Sequence, residues 1–172
     1  QSIAVQGAVS RMGGVVSHQG HQAVSTGYSR VATIADVRQV ADNMRQEDID
    51  EVRAQSGMAP RESLLLAYMR SKPCHAMVSR SGVVIGLWGV VPEGDGVGRI
   101  WMLGTDGMVD DSIDRKTFLR LSIKYLEELH QQFAVLFNEI DARNTVHLEW
   151  LRRMGFTFVR YHPKYGVEGR PF

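Results

Sequence analysis

The sequence predicts an α/β domain over residues 31–172, preceded by an extended arm over residues 1–30. Three observations carry this. Residues 134–137 form a short apolar run, residues 144–154 carry a helical apolar face, and residues 156–161 form a second strand-like run, which together make a strand–helix–strand unit. Two β-rich runs, residues 74–79 and 83–91, are separated only by Arg80, Ser81 and Gly82, a hairpin signal. Residues 112–133 form the longest amphipathic segment, with Ile113, Phe118, Leu121, Tyr125, Leu126, Leu129 and Phe133 in one stripe. A length of 172 residues suffices for one buried core, and 44% apolar with 23% charged residues is the composition of a globular chain.

The arm is rich in Gly, Ser and Gln, contains Arg11 and Arg30 and has no acid. It keeps neither a helical nor an alternating period, and alone it would not repay its ordering entropy. It is expected to lie against something else, with Arg11, His18, Tyr28 and Arg30 as the contacting residues and a partner chain as the favoured surface. His18 and His21 have H-x-x-H spacing but no third ligand nearby, so no metal site is expected. The first residues lack a basic start followed by an apolar core, so no secretory signal is expected.

Residues 30–34 read as a short strand. Thr33 and Asp36 then form a capping box at the start of a helix with Val37, Val40, Ala41 and Met44 on its apolar side. A second helix continues through the acidic segment 47–51 and stops at Gly57. Pro60 opens a third, with Leu64, Leu65, Tyr68 and Met69 inward. After the hairpin, in which Gly86 and Gly89 suggest a bulge or a close backbone approach, residues 92–96 form a turn and residues 97–103 another strand. A loop over 104–111 leads into the long helix, where Asp110, Asp111 and Asp114 complement the positive helix start. Asn144 caps the last helix and Gly155 ends it. The residues beyond 162 read as loop.

Charge and cysteine content narrow the function. A net charge of +1 gives no general case for nucleic acid, and the single Cys74 rules out an intrachain disulfide and any multi-cysteine zinc site. Cys74 and His75 are adjacent in a strand and point to opposite faces, so they are not a nucleophile pair. Trp88, Trp101 and Trp150 read as core or cleft-wall residues. No apolar run approaches a membrane-spanning length.

Asn144, His147, Trp150, Leu151, Arg153, Gly155 and Phe156 resemble the N-x-x-A-x-x-L-Y-x-K-x-G-F signature of the GNAT N-acetyltransferase superfamily. The match departs at His147, where a small residue is usual, and at Leu151, where many active members carry a tyrosine that protonates the leaving thiolate. The resemblance implies a mixed, mostly antiparallel central sheet flanked by helices, with an acetyl-CoA cleft beside this last unit. It further implies a pyrophosphate loop of the form R/Q-x-x-G-x-G/A at the start of the long helix. There this chain offers Leu103, Gly104, Arg115 and Lys116, with Asn144 across the cleft, as candidate coenzyme contacts. Asp110, Asp111 and Asp114 at that place would repel phosphate. The fourth strand lacks the glutamate that often serves as base; Glu93, Glu139 and His147 are the remaining catalytic candidates.

The family also usually supplies a seventh strand, and an open edge in its place would invite pairing with another chain. Residues 31–38, 43–52 and 144–155, with the ending from His162 to Phe172, further resemble the acetyltransferase-like proteins of short-tailed phages, including the internal virion type. That resemblance implies a virion structural or assembly protein with a degenerate acetyltransferase fold and no cofactor. It would be docked through its arm on portal, tail or internal core proteins in many copies, in the virion and, during assembly, in the host cytoplasm. The alternative is an active acetyl-CoA-dependent N-acetyltransferase that modifies a host or phage amine.

Overall fold

A computed structural model describes residues 5–7, 27–110 and 112–172. Its central sheet has five strands in the order β2 (Tyr28–Val31), β3 (Cys74–Val78), β4 (Val84–Gly94), β5 (Val97–Gly104) and β6 (Val135–Phe137). All neighbours are antiparallel except β5 and β6, which run parallel. β4 is the central strand and its first eight residues are all buried, so its run of apolar residues and glycines is nearly continuous rather than alternating.

Helices cover both faces. On one lie α1 (Ile34–Asp42), α2 (Gln46–Ser56) and α3 (Pro60–Arg70); Val37, Val40, Val52 and Leu64 from these pack with Ala76, Leu87 and Leu103. On the other lie the short α4 (Gly107–Asp110), α5 (Ser112–Leu129) and α6 (Thr145–Arg153), whose Phe118, Leu126, Leu129, Trp150 and Leu151 pack with Trp88, Val90 and Leu136. Leu87 and Trp88 are neighbours in β4 and serve opposite layers, as the pleat requires.

Local chemistry sets these elements as expected. Thr33 and Asp36 form both halves of the capping box, and Pro60 sits in the first turn of α3. Asn144 accepts from the His147 amide as N-cap of α6. Gly57 and Gly155 follow their helices at φ 71° and 85°, in the left-handed region that a Cβ disfavours.

Several boundaries differ from the sequence reading, and the strand expected at residues 30–34 is β2 (Tyr28–Val31). The loop over 104–111 holds the helical turn α4, β4 extends through the expected turn to Gly94, the long helix ends at Leu129, and the strand at 156–161 is only β7 (Phe156–Phe158). The closing segment is more than a loop over the surface. Phe172 is fully buried and exchanges two backbone hydrogen bonds with His162, while Val167 and Glu168 donate backbone N–H groups to the C-terminal turn of α2.

The seventh-strand place is filled from within. β1 (Val5–Gly7) pairs antiparallel with β7, Val5 opposite Phe158 and Gly7 opposite Phe156. This part of the arm therefore lies on its own domain; Arg11 and His18 fall outside the described residues.

The feature that positions the site is a splay in the sheet. β5 pairs with β6 only from Val97–Val135 to Arg99–Phe137, then continues to Gly104 while the chain turns away at Asn138. The two strands diverge, and a gap opens between them.

Candidate functional site

Cavities lie on both faces of this gap. On the α5/α6 face a narrow apolar space of about 40 Å³ is lined by Trp88, Met102, Tyr125, Leu126, Trp150 and Met154. Beside it is a second space of about 30 Å³, lined by Arg45, Met108, Arg115 and His147 among others. Outside both runs a groove of about 320 Å³ between α5 and α6, walled by Arg115, Leu119, Val146 and Arg153. Trp150 lines all three. On the opposite face, under α2 and α3, a groove of about 320 Å³ is lined by Glu51, Arg70, Arg99, Glu139 and Tyr165, with Leu66, Val91 and Trp101 as apolar wall. Trp101, Met102 and Asn138 line the inner space on one face and the groove on the other.

A buried polar network closes the inner end of the gap. Arg45 Nη2 donates to Asp48 Oδ1 at 2.7 Å and to Asn144 Oδ1 at 2.8 Å. Asp48 Oδ2 accepts from the Gly104 amide at 2.8 Å, and the Gly104 carbonyl accepts from the Arg45 amide at 2.9 Å. Asn144 Nδ2 donates to Glu51 Oε2 at 3.0 Å. Asn144 thus caps α6 and ties it to α2.

Within this network Glu51 and His147 approach to 4.0 Å. Burial, reinforced by the Asp48 charge, pushes the Glu51 carboxyl up to about 8; burial pulls the His147 imidazole down to about 4. Near neutral pH the contact therefore joins a carboxylic acid to a neutral ring. His147 is only 4% exposed, so its imidazole stays neutral near neutral pH.

The far groove is organised around Glu139. Its Oε2 accepts from Tyr165 Oη at 2.8 Å and Gln55 Nε2 at 3.0 Å, and lies 3.9 Å from Arg99 Nη1. Arg99 also pairs with Glu93 at 2.7 Å and lies over the Phe137 ring. Glu139 is mostly covered rather than a solvated surface acid, and Glu93 stands beyond Arg99 on the exposed side.

The candidate coenzyme contacts separate. Arg115 lines the α5/α6 groove, whereas Lys116 is exposed and borders none of the cavities described above. Leu103 belongs to the opposite core, beside the far groove. Asn144 is consumed by the buried network. Gly104 admits no side chain as packed: a Cβ there would run into the Met108 side chain. Its amide and carbonyl are already bonded, so it offers no bare backbone to a phosphate. Asp114 faces away from the groove and accepts from the Arg80 amide at 3.2 Å, so it exerts no direct repulsion on an anion there. Asp110 is exposed and Asp111 lies outside the described residues. Of the candidate partner contacts, Tyr28 is exposed, and Arg30 forms a paired contact with Asp36 at 2.6 and 2.8 Å that holds the Asp36 carboxyl below its usual range.

The sequence reading assigns no site role to four functional candidates. Arg45 precedes α2, and Asp48 and Glu51 lie in its acidic segment. They are inward because α2 lies across the end of β5, which no local pattern announces. Tyr165, in the closing segment, is the fourth. Among the described residues no cluster of His, Cys, Asp and Glu could hold a metal, and no helix is long and apolar enough to cross a membrane.

Two buried donors line the α5/α6 cavities without a hydrogen-bond partner among the described residues: Trp150 Nε1 and Arg45 Nε. Trp101 Nε1, by contrast, is satisfied by Ser71 Oγ at 2.7 Å. Orphan donors are rare in folded proteins, and here they border a channel that reaches the splay. The glycine cradle for a pyrophosphate is absent at Gly104, which leaves that charge to Arg115 and Arg153 at the rim.

No family model matches the chain, and no curated protein matches it. Solved structures do. A spermidine N-acetyltransferase from Vibrio cholerae in complex with CoA and spermine superposes with TM-score 0.60 and 12% identity, over 85% of this chain and 90% of that one. A GCN5-related N-acetyltransferase from Kribbella flavida gives TM-score 0.59 and 17% identity over 84% and 92%. An N-acetyltransferase from Staphylococcus aureus gives 0.60 and 13% over 86% and 94%. At such identities the likeness establishes the fold: this chain has the GNAT acetyltransferase fold, a mixed, mostly antiparallel sheet flanked by helices.

Proposed function

We propose that this chain is an acetyl-CoA-dependent N-acetyltransferase acting on a small amine. The observation that carries it is the two-sided cleft at the β5–β6 splay, where Met102 and Asn138 are shared by an apolar channel on one face and a polar groove on the other. Acetyl-CoA supplies the acetyl group activated as a thioester. The chain's residues would hold its arm along the Trp150 and Arg45 donors and meet its phosphates with Arg115 and Arg153.

On the far face Glu51 acts as base. Only its ionised form takes a proton from an alkylammonium, and that form becomes the major one above about pH 8, so turnover rises with pH through that value; the side chain lines the groove. Glu139 holds the ammonium, with Tyr165 fixing its carboxylate. Leu151 is buried and has no proton to give, so donation from that position is not part of this reading.

Calorimetric titration with acetyl-CoA, followed by a thiol-release assay over a panel of amines, tests it. Micromolar affinity and turnover with one amine class are expected. No heat at millimolar acetyl-CoA would sink the proposal.

A second reading is favoured by one observation: Asp48 and Arg45 occupy the amide and carbonyl of Gly104, and Met108 packs over it. On this reading the coenzyme site is degenerate and the domain is a structural part of a short-tailed phage particle, docked on other virion proteins through residues 1–30. Loss of particle incorporation on deleting residues 8–26, which spares β1 and β2, with no acetyl-CoA binding by the intact chain, would select it.

A further inference from the structure

The groove beneath α2 and α3 also carries information about what it takes. Resting on the acetyltransferase reading, we infer that the acceptor is a small α-amino acid with an apolar side chain, its carboxylate held by Arg99 and Arg70.

Charge is the first argument. The charged groups lining the groove are Glu51, Glu139, Arg70 and Arg99. Glu51 is protonated below about pH 8 and Glu93 offsets Arg99 from outside the groove, so near neutrality the charges balance, with Arg70 facing Glu139 as the remaining pair. That balance disfavours a polycation and favours an acceptor with an anion beside its amine.

Geometry is the second. Glu139 Oε2, which accepts from Tyr165 and Gln55, stands 3.9 Å from Arg99 Nη1, beyond hydrogen-bond length, so the other carboxylate oxygen of Glu139 and Arg99 Nη1 keep capacity for a ligand group. Opposite charges at that separation match the adjacent ammonium and carboxylate of an α-amino acid. Arg99 Nε is buried and has no hydrogen-bond partner among the described residues. Its guanidinium is held by Glu93 and by the Phe137 ring, which orients it. Arg70, at the exposed end of α3, supplies the second cation.

Size and wall are the third. A space of about 320 Å³ suits a small molecule. Its apolar wall of Leu66, Val91 and Trp101 gives an aliphatic side chain a place to be buried.

The test uses the intact chain, titrated calorimetrically with L-leucine, L-leucinamide and putrescine, with and without saturating CoA. Leucine is expected to bind about tenfold tighter than leucinamide, the worth of one charge-assisted contact, with putrescine weakest. Arg99→Gln and the exposed Arg70→Ala should each erase most of the preference for leucine while leaving leucinamide and acetyl-CoA affinity unchanged. Equal or tighter binding of leucinamide or putrescine, with acetyl-CoA binding intact, overturns the inference alone. So does a variant that weakens all three ligands equally. Absence of acetyl-CoA binding overturns the reading beneath it and the inference with it.

Discussion

Replacing Asp48 by alanine probes the network that closes the cleft. Asp48 is buried on α2 and satisfies three donors: Arg45 Nη2 at 2.7 Å, the Gly104 amide at 2.8 Å and Asn144 Nδ2 at 3.2 Å. The variant leaves the Arg45 guanidinium buried with Asn144 Oδ1 as its remaining side-chain acceptor, and leaves the Gly104 amide without an acceptor. Removing one partner of a buried ion pair costs about 3–5 kcal/mol, chiefly because the other charge stays buried. At about 2–4 °C per kcal/mol for a chain of this length, Tm should fall by about 6–20 °C.

Urea denaturation with unchanged m is the assay, since a shift in midpoint alone reports stability. Asp50→Ala, at an exposed carboxylate two residues away, is the control and should stay within about 0.5 kcal/mol. Arg45→Met added to Asp48→Ala should recover part of the loss, with a coupling of about 0.5–3 kcal/mol. A loss from Asp48→Ala below about 1 kcal/mol, within the range of an ordinary hydrogen bond, would refute the claim that a buried charge pair seals the cleft.

Three further outcomes are expected. Glu51 has a folded pKa of about 8, above its ordinary 4.5, so its stability contribution is full below pH 4.5 and is lost as pH rises through about 8. His147, held at about 4 against 6.5, contributes stability that is present above 6.5 and lost as pH falls through about 4. The two slopes oppose each other between 4.5 and 6.5, so stability should be nearly flat there and should fall by about 2 kcal/mol from pH 6.5 to 8. Glu51→Gln should flatten that upper limb in urea titrations at several pH values, and should lower kcat if Glu51 is the base. Gly104→Ala forces a Cβ into Met108 and should cost about 1–3 kcal/mol, partly recovered by Met108→Ala in a thermal melt of the double variant. Glu139→Gln should raise the KM for the amine while leaving acetyl-CoA affinity, read by calorimetry, unchanged.

Much of the fold was legible because its signals are local. The capping box at Thr33 and Asp36, the cap at Asn144, the stop at Gly155 and the Arg80–Gly82 hairpin connection each reflect chemistry within a few residues. The candidate site was only partly legible. Glu139 was named from its place after the fifth strand and Asn144 from the last helix, yet their partners lie 26 to 99 residues away in sequence. The aspartates before the long helix suggested a repelling cradle, but the rotation of α5 on the sheet turns Asp114 toward the Arg80 amide. The acidic segment of α2 carried no site signal, and Asp48 and Glu51 are buried because that helix lies across the end of β5.

The order of strands and helices, their caps and turns, and the likeness of the last helix to an acetyltransferase signature are properties of the sequence by itself. Periodicity and glycine placement act through neighbouring residues, so they can be read without knowing where the chain goes. The divergence of β5 from β6, the sealing of Gly104 by Arg45 and Asp48, the raised Glu51 carboxyl and the return of β1 onto β7 belong to the tertiary structure alone. Burial and pairing depend on which distant groups meet away from water, and that is decided only when the layers pack.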